Sequence, residues 1–415
     1  MRFEELIEEF CCQLRRRQFE GSLPTAKRTA EFLRTLVSQN KYTDAKSLLR
    51  AVRTLGIRFQ AARPTEFAVG NATRRVMYMV REEHAIELKE AAQPIEEKTE
   101  EPEAADLLAL HSDPVNFSAL VSLRNLLEPN SHKEELTTTS PVHSATPPNE
   151  KTPTKKKKVK TWKRKDMVIE SINEFLNELD AIPNHVANQA LDHIHAHEVV
   201  LTLGYSDTTF LFLESASKKR KDLRVIVAEG APNYDGHRMA KKLSEAGIQT
   251  TVIMDAAIFA MMARVDQVFM GCKTLLANGG VIASAGSHLV ALAAKEHATP
   301  FVVLVGLHKL SPFYPSDPAI NLNDFRSAFD VADLEILAES RANCIPSEEM
   351  GGGHYDAQKV DLVNPSSDYV PPDLISLFVT DQGGVTPTYV HRLLDEYYAR
   401  QDHVLDDGLE ELLSN

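Results

Sequence analysis

Four cysteines in 415 residues are too few, and too scattered, for a disulfide framework or a zinc site. Cys11 and Cys12 are neighbours, Cys272 and Cys344 stand apart, and no CxxC pair occurs. That usage fits a reducing compartment, the cytosol or the nucleus, and the cytosol is the expected location. No apolar run approaches the ~18 residues that a membrane helix needs, and no membrane contact is expected. The opening stretch MRFEELIEEF is acidic and amphipathic, unlike a signal or transit peptide. Excess positive charge is also missing. A net charge of −13 argues against general nucleic-acid binding. There is no GxGxxG after the first strand-like run, no GxxxxGK(S/T) and no HExxH. Ordinary nucleotide binding is therefore unsupported, and no cofactor or metal is expected.

The length suggests two or three domains. Residues 1–90 read as a helical bundle domain. Leu6, Phe10 and Leu14 recur at helical spacing, as do Phe32, Leu33, Leu36 and Val37, and then Leu48, Leu49, Val52 and Leu55. Thr43-Asp44-Ala45-Lys46 reads as a helix start, Gly56 as a helix end and Pro64 as a break. Val69-Gly70-Asn71 opens a further helix carrying Val76, Met77 and Val80, with Arg74, Arg75 and Arg81 beside them. The bundle is either a core with a solvated charged face or a docking module for another protein.

Residues 91–161 read as an insertion. An acidic run, Glu96 to Glu103, gives way to TTTSPVHSATPPNEKTPT and then to KKKKVKTWKRK, Lys155 to Lys165. Such composition buries too little apolar surface to offset ordering entropy, so disorder is expected. The basic run fits a solvated linker, a nuclear-import signal or an RNA contact.

Residues 162–415 read as a doubly wound parallel sheet. A helix from Met167 is punctuated by Pro183 and resumes to Ile194. Strands are expected at Glu198–Leu203, Leu223–Ala228, Gln249–Met254, Val265–Met270 and Phe301–Val305, with helices between them and a late strand at Ser376–Thr380. Ile282–His297 reads as a helix following the glycine loop at Gly279-Gly280, and Thr388–Tyr398 as the last helix. The stretch Val268–His288 thus reads as strand, glycine loop and helix, the way α/β folds build a ligand site.

The expected strand ends gather Gly204, Tyr205, Glu229, Asp255, Gly271, Lys273, Asn278 and Gly279 around one crevice. The set has the polar character of a sugar-phosphate site but lacks an evident activated nucleophile. Ser284 and Ser287 sit in ASAGSHL without a G-x-S-x-G elbow and read as a helix start. His193, His195 and His197 invite a metal reading, but an ordinary helix end explains them as well.

A run of motifs in order resembles the regulatory subunits of eukaryotic translation initiation factor 2B. These are VGNATRRVMYMVREE (69–83), VIVAEGAP (225–232), GHRMAKKLSEAGI (236–248), DAAIFAMMARVD (255–266), ANGG (277–280) and DYVPPDLISLF (368–378). LHKLSPFYP (307–315) and DYVPP point to the beta branch of that family. The resemblance spans most of the chain outside 91–161, and the fold it implies is a helical domain followed by a Rossmann-like α/β domain. It also implies a non-catalytic subunit that partners the alpha, gamma, delta and epsilon subunits of the exchange factor. A further implied partner is initiation factor 2 itself, including its phosphorylated alpha subunit. Arg74, Arg75 and Arg81 suit an acidic or phosphorylated partner in type. Related enzymes isomerise methylthioribose 1-phosphate with a cysteine and an aspartate. The resemblance puts Gly204 and Lys273 in those places, and Ala231 where the enzymes carry a phosphate-binding arginine. The crevice is then an inherited frame without the reaction. The alternatives are an active isomerase of that type, or a nuclear or RNA-binding protein acting through the basic run.

Overall fold

The computed structural model describes residues 3–19, 21–92, 162–316, 323–331 and 363–405. Residues 1–91 and 160–415 form one compact unit. Cys344, the Gly351–Gly353 run and residues 93–161 of the expected insertion lie outside the described residues.

The amino-terminal helices are α1 (Phe3–Arg15), α2 (Ser22–Gln39), α3 (Ala45–Ala62) and α4 (Phe67–Ala92). Their apolar stripes meet in one core with the next helix, α5 (Lys165–Asn188). Phe10 anchors it, 4.6 Å from Phe32 and 4.8 Å from Phe59 between ring centroids. Such pairs add about 0.5–1.5 kcal/mol each beyond their buried area. Asp44 stands at the start of α3, as expected. Gly56 does not end that helix. It lies at the crossing of α3 with α4, where an added Cβ would sit 2.2 Å from Thr73 Cγ2. The glycine permits close approach, and the helix continues for six more residues.

Pro183 also fails to punctuate. α5 runs through it, with Ile182 and Val186 buried on either side. Burial of that face outweighs the roughly 3 kcal/mol that an interior proline costs. The break comes at Gln189, before the short α6 (Ala190–His193).

The end of the basic run is part of the fold, contrary to the linker reading. Trp162 is buried, its indole N–H donates to Glu87 at 2.7 Å, and its backbone N–H donates to the Tyr42 carbonyl at 2.7 Å. Arg164 bridges Glu83 and Glu90 of α4. Lys165 Nζ donates to the Ser38 and Asn40 carbonyls at the end of α2, both at 2.8 Å. A cation at a helix carboxyl end satisfies its orphan carbonyls.

Seven strands form the main sheet: β1 (Val199–Leu203), β2 (Arg224–Ala228), β3 (Gln249–Ile253), β4 (Gln267–Gly271), β7 (Phe301–Leu304), β9 (Leu377–Thr380) and β10 (Gly383–Val385). Their order is β10-β9-β7-β4-β1-β2-β3, all parallel except the β10 edge. Between strands run α7 (Asp207–Ser217), α8 (Asp235–Glu245), α9 (Ile258–Met262) and α10 (Ser287–Glu296), and α11 (Val390–Tyr397) closes the series. Alternate strand residues serve opposite cores. Val200, Val225, Val227 and Phe269 face the core shared with the helical layer, whereas Leu201, Ile226, Val268 and Met270 face the core under α9, α10 and α11. Both faces are covered, hence the continuous apolar runs.

One element differs from the sequence expectation. Val281–Ser284 is strand β6, not the start of a helix. It pairs antiparallel with β5 (Thr274–Leu275) and with β8 (Ser367–Val370), forming a small second sheet. The Gly279-Gly280 pair is the hairpin turn, and α10 begins only at Ser287. Cross-strand pairing with β8, nearly ninety positions away, overrides the local helical look of this stretch.

Candidate functional site

β1 and β4 are neighbours, but the chain leaves β1 toward β2 and β3. This is the topological switch point where doubly wound sheets open a crevice. At the end of β1, Gly204 adopts φ +63, and nothing lies within 4 Å of where its Cβ would be. Glycine takes that left-handed conformation at the least cost. Ser206 caps α7, accepting from the Thr209 N–H. Gly271, at the end of β4, keeps clear of it, because an added Cβ would sit 2.6 Å from Ser206 Oγ.

Beyond β2 come Glu229, Gly230 and Ala231. The Asp255 carboxylate accepts from Gly230 N at 2.9 Å and Ala231 N at 2.7 Å. This aspartate fastens the β2 turn to the end of β3, a backbone-amide nest filled by the chain's own anion. Glu229 lies 3.7 Å from His237 Nε2. Tyr205 turns away, onto α8. Its hydroxyl bonds Asp207 and Lys242, and the Arg238 guanidinium stands 4.2 Å over its ring.

Lys273 does not stand as a free cation in the crevice. Its ammonium donates to Ser366 O at 2.9 Å and to Ser367 Oγ at 2.6 Å. Burial, then the nearby Arg326, push its pKa down to about 8, while Asp324 and Glu66 favour the charged form. Asn278 and Gly279 belong to the β5–β6 turn. Asn278 Nδ2 donates to the Tyr369 hydroxyl at 2.8 Å and its Oδ1 accepts from Gly280 N at 3.0 Å. Gly279 packs under Pro387, where a Cβ would meet the carbonyl oxygen at 2.6 Å. The structure thus brings together Gly204, Glu229, Asp255 and Gly271, and assigns Tyr205, Lys273, Asn278 and Gly279 to contacts of their own.

Among the described residues, the thiol beside this region is Cys272. It is buried, and desolvation pushes it up to about 11. A thiol held neutral is a poor nucleophile. Ser287 Oγ donates to Ser284 O, so it is spent on the α10 start. Among the described residues no group of three His, Cys, Asp or Glu could hold a metal ion. His193 packs beside Phe212, and His197 lies near Asp222.

Arg74, Arg75 and Arg81 all turn inward, toward the carboxyl-terminal segment. Arg74 is 1 % exposed, its Nε donates to the Asp402 and His403 carbonyls, and its guanidinium lies 4.9 Å from the Phe313 ring centroid. Burial lowers its pKa to about 10. Arg75 covers the Tyr397 ring at 4.3 Å. Arg81 grips Asp402 in two bonds, 2.6 and 2.7 Å. Under the family resemblance, these arginines suited an acidic or phosphorylated partner in type. The partner they have is Phe313 and residues 397–403 of the same chain.

Sequence reasoning missed the role of 366–369 altogether. Asp368 Oδ2 accepts from Gly286 N at 2.7 Å and His288 N at 3.3 Å, and Tyr369 packs on Gly280. The motif DYVPP carried part of the family resemblance, but its pairing with β6 is a long-range contact that no local pattern shows.

The model of the Initiation factor 2 subunit family matches residues 18–387. The chain is 35% identical to translation initiation factor eIF2B subunit beta of Schizosaccharomyces pombe, over 96% of this chain and 97% of the relative. It is also 35% identical to the subunit of the same name from Dictyostelium discoideum, over 96% of each. The crystal structure of eIF2B beta from Chaetomium thermophilum superposes with a TM-score of 0.63 at 24% identity, covering 97% of this chain and 94% of that one, a likeness of fold. The chain belongs to the Initiation factor 2 subunit family.

Proposed function

We propose that this chain is a non-catalytic regulatory subunit, of the beta type, in the guanine-nucleotide exchange factor for translation initiation factor 2. The observation that carries the reading is similarity to beta subunits over 96% of the chain, joined to a crevice where Gly204 and Lys273 stand in the places that the resemblance gives to the isomerases' cysteine and aspartate. Gly204 brings no side chain, and the Lys273 ammonium is bonded to Ser366 and Ser367. An aldose–ketose isomerisation must move a proton between adjacent carbons, and neither residue can do that as placed. The isomerase alternative therefore has no support from the site. The RNA-binding alternative is weakened too, because Arg164 and Lys165 are consumed inside the helical layer.

The chain works through surfaces. One is uncovered and apolar: the β3 edge with Val252 and Met254, Phe259 of α9, and Leu289 and Leu292 of α10. Met254 is 64% exposed and Phe259 55%. Exposed large apolar side chains along an unpaired strand edge favour a protein partner. This face is our candidate for pairing with homologous subunits. The wider partners are the alpha, gamma, delta and epsilon subunits, and initiation factor 2 with its phosphorylated alpha subunit, all in the cytosol.

Native mass measurement of the assembly purified through this chain tests the reading. A five-subunit complex is expected, and a lone monomer would overturn it. The double substitution Met254→Asp with Phe259→Asp should leave the thermal midpoint of the isolated chain unchanged while co-purification of partner subunits is lost. The chain alone should catalyse no nucleotide exchange.

A further inference from the structure

We propose that Asn278-Gly279, in the β5–β6 hairpin, is a deamidation site whose reaction is gated by opening of the β5-β6-β8 sheet, with the Tyr369 hydroxyl as the latch. The proposal does not depend on which subunits the chain meets.

The chain contains a single Asn-Gly step. Asparagine is thermolabile, and a following glycine leaves the next backbone nitrogen unshielded and free to rotate. The co-reactant is water. The Gly279 nitrogen attacks the Asn278 side-chain carbonyl carbon and gives up its proton. The new C–N bond closes a succinimide, and the Nδ2 group leaves as ammonia. Water then opens the ring at either carbonyl, giving aspartate or isoaspartate.

The fold ties down both reacting groups. Leu276 N donates to Gly280 O at 2.8 Å, and the loop between them ends on Gly279 at φ +80. This is the hairpin turn that closes on a left-handed glycine. The attacking N–H is spent on the Leu276 carbonyl at 2.9 Å. The leaving amide is pinned at both ends, Nδ2 to the Tyr369 hydroxyl and Oδ1 to Gly280 N. Gly279 is wedged against the Pro387 carbonyl, so the turn has little room to rotate. Tyr369 stands on β8, opposite Ile282 of β6. Attack therefore requires the turn to open and Tyr369 to withdraw, a local opening of the small sheet. Isoaspartate inserts an extra main-chain carbon where even a Cβ on Gly279 would sit 2.6 Å from Pro387 O. The turn cannot re-form around it, so each reaction leaves a permanent record of an opening.

Peptide mapping by mass spectrometry tests this in the full-length chain. Wild type, Tyr369→Phe and wild type unfolded in urea are held in mildly alkaline buffer, and deamidation at position 278 is timed. The unfolded chain is expected to react fastest and native wild type slowest. Tyr369→Phe, which keeps the ring and loses the hydroxyl, should react several-fold faster than wild type. A native wild-type rate equal to that of the unfolded chain would overturn the proposal, and so would equal rates in Tyr369→Phe and wild type. Should Tyr369→Phe fail to fold, wild type in urea below its unfolding midpoint reads the same gate. The rate at 278 should then climb with urea before the chain unfolds as a whole, and a rate that stays flat up to the midpoint overturns the proposal.

Discussion

Two polar clusters in this chain look alike on paper and behave differently. At the seam between α4 and the carboxyl-terminal segment, Arg74 and Arg81 meet Asp402, and every group is drawn inward. At the strand-end crevice, Gly204 faces open space while Lys273 and Asp255 are tied to the loops around it. The seam is a buried ion pair whose partners are 321 positions apart in sequence. The crevice is a frame whose polar groups hold loops. Residue type alone did not separate them: both offered cations near glycines. Burial and the identity of the partner atoms did.

The largest test strikes the seam. Asp402→Ala leaves Arg81 without its buried carboxylate partner, while Arg74 keeps its bonds to the backbone carbonyls, and should cost about 3–5 kcal/mol in urea unfolding. Adding Arg81→Met should recover part of that loss, because the uncompensated charge goes with it. Full additivity of the two losses would break the contrast drawn here.

The next test concerns the edge of the helical layer. Trp162→Ala should cost about 3 kcal/mol, since a buried indole and its bond to Glu87 are both lost. Trp162→Phe should retain most of the packing. As Trp162 is the chain's one tryptophan, its emission in wild type reads this edge directly.

The smallest effect is a pH dependence in the crevice. Lys273 has a folded pKa near 8, below its unfolded value. Between those values the unfolded chain binds more protons, so stability gains as pH rises from about 8 toward 10. Wild type should gain on the order of 1–3 kcal/mol relative to Lys273→Met across that window. A flat difference would mean the ammonium is solvated and the crevice open.

Much of the α/β order was legible in the sequence, because strands buried on both faces leave unbroken apolar runs such as Val199–Leu203 and Val225–Ala228. The helices of 1–90 were legible from their stripes. What failed was local punctuation overruled by distant packing. Gly56 is a crossing point against Thr73, Pro183 sits within a helix pinned by Ile182 and Val186, and Val281–Ser284 became a strand because β8 pairs with it. For the site, Gly204 and Lys273 fell at expected strand ends, and the resemblance supplied the roles they lack. Asp368 was not foreseen, because its role depends on a register between β6 and β8 that no local pattern carries.

The docking of Trp162 and Arg164 on α4 has a consequence for how this chain tolerates change in length. Glu83, Glu87 and Glu90 lie in the last turns of α4, and the returning chain is fastened to those same turns. Departure and return therefore share one doorstep. Closing a longer excursion between such fixed points costs only about 0.6 kcal/mol per doubling of its length. Segments of very different size can be gained or trimmed there over evolutionary time while the helices on either side keep their places.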